Sequence, residues 1–319
     1  MNQSISGSWY PVLDPVLFPE HPAKLLATGQ YNKIPIIDGV NTDEGTDNAY
    51  FGINTDQQMI EHLTTVGHPV MTPDNVGVLM NIYSPINLTD PSPYGIPFKT
   101  TVDPVTAASL GLGTQYKRYA AIVGDLYYHG PLLHDAELYA KHSTPEAPVY
   151  IYRFDTLPWN FTTGSTQTFQ QIPNVSTKAL TASYKGRAHF SETPFVFRNP
   201  AFYGPDLEYK KLADQMSAMW VNFVNTGNPT PVITQNASQY MCFSSAANTN
   251  VSATVAGGLW EPYFLPATVP AADRDDGSVV GKVLVIRTDS RGSSILESNN
   301  WRLAGRSFIV KKMQQVYGE

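Results

Sequence analysis

The chain has 319 residues, 42% hydrophobic and 15% charged, with 21 basic side chains against 27 acidic ones and a net charge of −6. That length suits one large α/β domain or two ordinary ones, and 12% aromatic residues at so low a charge point to a packed core rather than disorder. No Lys/Arg block stands out and no apolar run is long enough to span a bilayer, so nucleic acid as a partner and a membrane span are both set aside.

Taken in order, residues 1–33 carry Pro11, Pro15, Pro19 and Pro22, which forbid a long helix. Only the stretch 21–29, HPAKLLATG, reads as a short helix, closed by Gly29. Residues 34–46, IPIIDGVNTDEGT, begin as a buried strand built on Ile34, Ile36, Ile37 and Val40. Polarity then switches at Asn41, Thr42, Asp43 and Glu44, before Gly45 permits a tight turn or close backbone approach. Acids at the end of a buried strand are either displayed for chemistry or ordinary loop charges, and spacing alone does not separate the two.

Residues 55–66 read as a helix with Thr55 as N-cap and Met59, Ile60 and Leu63 on one face. A second short helix is expected over 72–79, and residues 84–104, rich in Pro, Asp and Thr, as a surface loop. From 105 to 142 the pattern is helical in pieces, 116–123 and 130–140, with a break at Gly124 and Asp125 and Pro131 opening the second piece. VYIYRF, 149–154, is a buried strand. The polar stretch 156–186 is a long loop ending in GRAHFSE. Residues 209–226 form an amphipathic helix with Leu212, Met216, Met219, Trp220 and Phe223 inward, closed by Gly227 and Pro229. A short strand is expected over 239–243, a buried one over 282–288 (KVLVIRT), and a terminal helix over 298–317. Alternating strands and helices indicate an α/β domain with a largely parallel sheet. Three or four strands are few for a complete domain of that kind, and so small a sheet leaves the 34–40 strand open along one edge.

Cys242 is the single cysteine, so no internal disulfide forms, and in YMCFS it reads as a small buried hydrophobe. Six N-x-S/T sequons, at Asn2, Asn87, Asn160, Asn174, Asn236 and Asn250, lean towards a secreted glycoprotein. The first residues, MNQSISGSWYPVL, lack the charged and apolar regions of a signal peptide. His129 and His134 are poorly spaced for a metal and no HExxH occurs, so neither metal nor cofactor is expected. His189, in a Gly-containing loop with Glu192 three residues on, suits a general base. With Glu44 at the end of another strand it follows the acid-then-His order of triad partners in α/β-hydrolases.

These motifs resemble the C-terminal portion of the type B carboxylesterase/lipase family, the group of fungal secreted lipases, carboxylesterases and cholinesterases. NTDEGT resembles the family's acid motif, which implies Glu44 as triad acid, and GRAHFSE resembles its His motif, which implies His189 as base. Glu192 then matches a carboxylate that lies near the nucleophile in many members. YKRYAAIVGDLYYHGP, VYIYRFD, MWVNFVNTGNP and LWEPY resemble family segments in the same order. Arg187 departs from the family, which commonly has a small apolar residue there, and it is expected to point to solvent. Phe51, Phe190 and the 156–184 loop are placed by position along the substrate gorge.

The resemblance implies an α/β-hydrolase fold, incomplete over 1–319, a secreted protein and a small ester or lipid substrate. The family's nucleophile is a Ser in a G-x-S-x-G elbow, preceded by a glycine-rich oxyanion loop. Neither motif occurs here: Ser6, Ser8, Ser165 and Ser293 lie near glycines, but none has Gly at both flanking positions. Two expectations follow. One is a serine carboxylic ester hydrolase of which these residues hold the acid and base, inactive until an N-terminal half completes it. The other is a non-catalytic, cholinesterase-like binding protein that meets a partner through the exposed sheet edge.

Overall fold

The computed structural model describes residues 13–14, 16–17, 19–66, 71–84, 110–156, 185–200, 207–230, 260–263, 281–289 and 292–312. Among these, four strands form one sheet in the order β1 (Ile36–Asn41), β2 (Val149–Phe154), β3 (Lys282–Asp289) and β4 (Gly292–Ser298). β1 runs parallel to β2, with Ile36 opposite Val149 and Asn41 opposite Phe154, and β2 runs parallel to β3. β4 closes the far side as an antiparallel hairpin partner of β3. β1 is an edge strand of the described sheet.

Side chains alternate along the strands and feed two apolar layers. Tyr150, Phe154, Leu284 and Ile286 face Phe195, Trp260 and the long helix α7 (Leu207–Thr226), which contributes Leu212, Ala213, Met216 and Met219. Val40, Val149, Ile151, Val283 and Val285 face Tyr263 and Leu132 and Ala136 of α5 (Gly130–His142). A third cluster joins α2 (Asp56–Glu61), α3 (Pro73–Ile82) and α4 (Tyr116–Gly124) through Met59, Leu63, Val76, Leu79, Tyr119 and Ile122. Each fully buried side chain of this size stabilises the fold by about 1.5–3 kcal/mol. Local signals agree with the packing: Thr55 and Gln58 form a capping box on α2, and the Thr72 hydroxyl caps α3 with Pro73 in its first turn. α1 (Pro22–Ala27) is the short N-terminal helix, followed by Gly29 at φ +70°.

Three expectations are corrected. β1 begins at Ile36 rather than Ile34, which is 60% exposed. The expected break at Gly124 and Asp125 is a π turn, Asp125–His129, that carries α4 into α5. Pro131 lacks the N–H that would continue an α-helical ladder, and the wider turn, with the Gly130 N–H on the Asp125 carbonyl, absorbs that misfit. The terminal helix starts at Leu303, not Ser298: α8 spans Leu303–Lys311, and Ser298 ends β4. Arg302 adopts left-handed backbone (φ +46°) while its guanidinium holds the buried Asp125 carboxylate at 2.6 Å, so the helix cannot begin earlier. β4 was not anticipated, because GSSILES offers only Ile295 and Leu296 as apolar residues. The 239–243 strand, Cys242, all six sequon asparagines and most of the 84–104 and 156–186 loops lie outside the described residues.

Candidate active site

The C-terminal ends of β1 and β2 lie side by side, and polar residues follow each, Thr42 and Asp43 after β1 and Asp155 and Thr156 after β2. After Asn41 the chain turns through a single 3₁₀ turn, Glu44–Thr46. Gly45 makes that turn possible. A Cβ there would lie 2.0 Å from the Ala120 carbonyl oxygen and 2.4 Å from the Gly124 nitrogen, so only glycine lets the loop sit on α4. Glu44 is thereby buried, 4% exposed, with its carboxylate aimed back over β1. Its Oε1 accepts the Asn41 backbone N–H at 2.6 Å, and its Oε2 lies 2.7 Å from His189 Nδ1.

His189 arrives from the other direction, on a loop ahead of the short helix α6 (Thr193–Val196). The loop turns at Phe190, a bulky residue in left-handed backbone (φ +66°), with the Ser191 N–H on the Ala188 carbonyl. The ring is 38% exposed, against 5% for the Glu44 side chain. Tyr128, from the π turn, covers one side of it with ring centroids 5.0 Å apart, and its hydroxyl donates to Asn48 Oδ1. The Phe190 ring lies 4.4 Å from the imidazole, edge-on. Once Glu44 is ionised its carboxylate only accepts, so the Nδ1 proton then lies on the Glu44 bond and Nε2 is left with the free lone pair.

Burial pushes the Glu44 carboxyl up to about 7, against the opposing pull of the Asn41 amide and of His189; the negative charge of Glu192 adds to the rise. Glu192 belongs to the same group, since its Oε2 accepts from Asn41 Nδ2 at 2.5 Å. Asn41 therefore holds both carboxylates, one by its backbone and one by its side chain. The strand pattern marked Asn41 only as the start of a polar loop. Its role depends on Glu192, 151 residues away, and is not visible in local sequence.

Arg187 does not point to solvent. It is 2% exposed, and its Nε lies 3.3 Å from Asp155 Oδ1 and donates to the Asp155 carbonyl. Asp155 directly follows β2 and also accepts the Thr42 hydroxyl at 2.9 Å. This partner lies 32 positions upstream across a polar stretch, so the sequence could not indicate it. Phe51 makes its edge-on ring contact with Tyr116, whereas Phe190 adjoins His189. A cavity of about 20 Å³, room for one water, lies behind the acid loop between Asp43, Lys117 and Arg302. His129 and His134 join no metal-holding group among the described residues, and no helix among them is long and apolar enough to cross a membrane.

Known proteins resemble this chain in sequence and fold. The family model described as "Carboxylesterase family" matches residues 2–256. A secreted triacylglycerol lipase of Gibberella zeae is 35% identical over 125 residues, which cover 39% of this chain and 19% of the lipase. An inactive carboxylesterase-like protein of Byssochlamys spectabilis is 24% identical over 296 residues, covering 87% of this chain and 43% of that protein. The crystal structure of Aspergillus niger EstA superposes with a TM-score of 0.58 at 16% identity, covering 97% of this chain and 45% of EstA. The chain thus spans less than half the length of each of these proteins. Its four-stranded sheet and flanking helices form part of an α/β-hydrolase fold. By a match that takes in most of its length, the chain belongs to the carboxylesterase family.

Proposed function

We propose that these residues carry the acid and the base of a serine carboxylic ester hydrolase, Glu44 and His189, with Glu192 as a neighbouring carboxylate. The observation that carries this reading is the 2.7 Å approach of His189 Nδ1 to a buried carboxylate, on loops that leave the ring half-exposed. In such a site Nε2 removes the proton of a serine hydroxyl as it attacks the ester carbonyl, and then returns that proton to the departing alkoxide. Water, activated by the same nitrogen, releases the acid. Glu44 fixes the tautomer and offsets the positive charge that forms on the ring. Phe190, 62% exposed beside His189, and Phe51, 52% exposed, are assigned to the substrate wall, which suits a small ester or a lipid.

The 319 residues contain no G-x-S-x-G elbow and no glycine-rich run ahead of Glu44. The nucleophile and oxyanion donors are therefore assigned to family sequence outside them, which agrees with the chain spanning less than half of its relatives. A missing nucleophile alone costs on the order of 10⁶ in kcat, and a missing oxyanion donor about 10²–10³. These residues alone then hydrolyse no ester. Secretion and glycosylation at Asn2, Asn87, Asn160, Asn174, Asn236 and Asn250 belong to the same reading.

The test is a fluorophosphonate probe and a p-nitrophenyl ester, applied to the 319-residue chain and to the chain joined to the genomic sequence upstream of Met1. Silence from the first and serine labelling with turnover from the second are expected. Labelling of any serine in the 319 residues, or unrelated sequence upstream, sinks the reading. The similarity to an inactive carboxylesterase-like protein favours one alternative, a non-catalytic binding module. It is preferred if the joined protein folds and binds ligand but never labels.

A further inference from the structure

The two loops that meet at the Glu44–His189 pair are joined below it by a second set of contacts. The Asp43 N–H donates to the Arg187 carbonyl at 3.0 Å, and the Arg187 N–H donates to Asp43 Oδ2 at 2.9 Å. One residue thus grips the other at both its backbone groups. One step further down, the Thr46 hydroxyl donates to the Lys185 carbonyl at 2.8 Å, and the Lys185 ammonium pairs with Asp47. Between these rungs Gly186 lies at φ +63°, and a Cβ on it would fall 2.2 Å from Asp43 Oδ2. The Arg187 side chain then leaves this ladder for Asp155 at the end of β2.

From these contacts we infer that Asp43 and Arg187 are positioning residues that set the His189 imidazole against Glu44. The proposal rests on Glu44 and His189 being the acid–base pair. A catalytic ring must be held to within roughly 0.5 Å, yet His189 sits on an exposed turn whose apex, Phe190, is in left-handed backbone. The Glu44 bond alone cannot supply that precision, because it forms at the tip of the loop. Asp43 fixes the loop two residues earlier to the end of β1, and the Arg187–Asp155 pair fixes it to the end of β2. The loop is thereby referred to two adjacent parallel strands, the most rigid element nearby. Asp43 stands next to Glu44 in sequence, so acid and base take their positions from one dipeptide.

The test is two-bond ¹H–¹⁵N spectroscopy of the histidine rings in the 319-residue chain, with the His189 signals identified by their loss in His189→Gln. The wild type is expected to show His189 as the Nδ1–H tautomer, and Glu44→Gln to disturb it. Asp43→Ala is expected to lose that tautomer to a mixture, because the carboxylate contact loosens. Asp43→Asn, which keeps an acceptor for the Arg187 N–H, is expected to restore it. A cooperatively melting Asp43→Ala with an unchanged tautomer overturns the proposal. If that variant does not fold, the double variant Asp155→Asn/Arg187→Met decides: a loosened His189 supports the proposal and an unchanged one overturns it. A wild type without the Nδ1–H tautomer defeats instead the reading of Glu44 and His189 as a pair.

Discussion

Two histidines of this chain sit in opposite electrostatic surroundings, and the contrast separates what the fold holds from what it offers for chemistry. His189 is half-exposed and bonded to one carboxylate, whose partner Asn41 also holds a second. His129, at the end of the π turn, is 1% exposed, bonded to the Thr42 backbone, and surrounded by Arg302, Arg306 and Arg153. Burial and those three cations hold its pKa well below the ordinary value, so it stays neutral. The same ring meets a carboxylate at one place and is kept from accepting a proton by burial and cations at the other. The cationic region is structural. Arg302 pairs with the fully buried Asp125, to which the Tyr83 hydroxyl also donates, and Arg306 binds the side chain and carbonyl of Asn299.

Exchanging the two histidines in turn gives the largest expected difference. If the chain joined to its upstream sequence hydrolyses esters as proposed, His189→Ala is expected to lower its kcat on the order of 10⁶, the effect of losing the base of a triad. His129→Gln should leave kcat within about tenfold, since it touches no reacting atom. Equal losses from both, measured by steady-state kinetics, would erase the distinction. Next in size is stability. Arg302→Met leaves Asp125 buried and unpaired and should cost about 3–5 kcal/mol in a urea titration. His189→Gln, at a half-exposed ring, should cost less than about 1 kcal/mol.

Proton linkage sharpens the comparison, because the two regions carry opposite signs. Glu44 is raised from 4.5 to about 7 in the folded state, so its contribution is fully present below pH 4.5 and is lost as pH rises through 7. His129 is depressed from 6.5, so its contribution is present above pH 6.5 and is lost as pH falls. Either slope can reach about 1.4 kcal/mol per pH unit. Glu44→Gln should therefore flatten the decline between pH 4.5 and 7, and His129→Gln should flatten the loss on the acid side. Urea midpoints measured across pH for the two variants check both signs.

How far the sequence could be read follows the same division. The Glu44 and His189 motifs were legible because each is a short run whose turn needs a glycine, Gly45 or Gly186, and whose polarity breaks from its neighbours. VYIYRF and KVLVIRT were legible as strands because both of their faces are buried, which leaves continuous apolar runs. β4 was not, because an edge strand pairs through its backbone and needs few apolar side chains. The buried arginines were the least legible. Arg118, 2% exposed, is satisfied by the Tyr83 and Met80 carbonyls at the end of α3 and by Asp56 of α2, from two separate segments. Arg187 likewise needs Asp155. No local pattern distinguishes such an arginine from a solvated one.

The smallest effect tests whether the second carboxylate beside His189 is electrostatic or merely structural. Glu192 raises the Glu44 pKa through its charge, less than burial does, and it accepts from Asn41 Nδ2. Glu192→Gln keeps an oxygen to accept that bond and removes only the charge. Glu44 should then ionise more readily, and the acid limb of kcat/KM should move to lower pH by about a few tenths of a unit, with the plateau unchanged. Glu192→Ala removes both, freeing Asn41 and with it the backbone N–H that Glu44 accepts. Its plateau should fall as well. If the pH limb stays in place in both variants and only Glu192→Ala lowers the plateau, the charge of Glu192 is incidental and Asn41 alone organises the pair. If only the pH limb moves in both, the bond to Asn41 is dispensable, and the electronegative side of the His189 region is set by charge rather than by geometry.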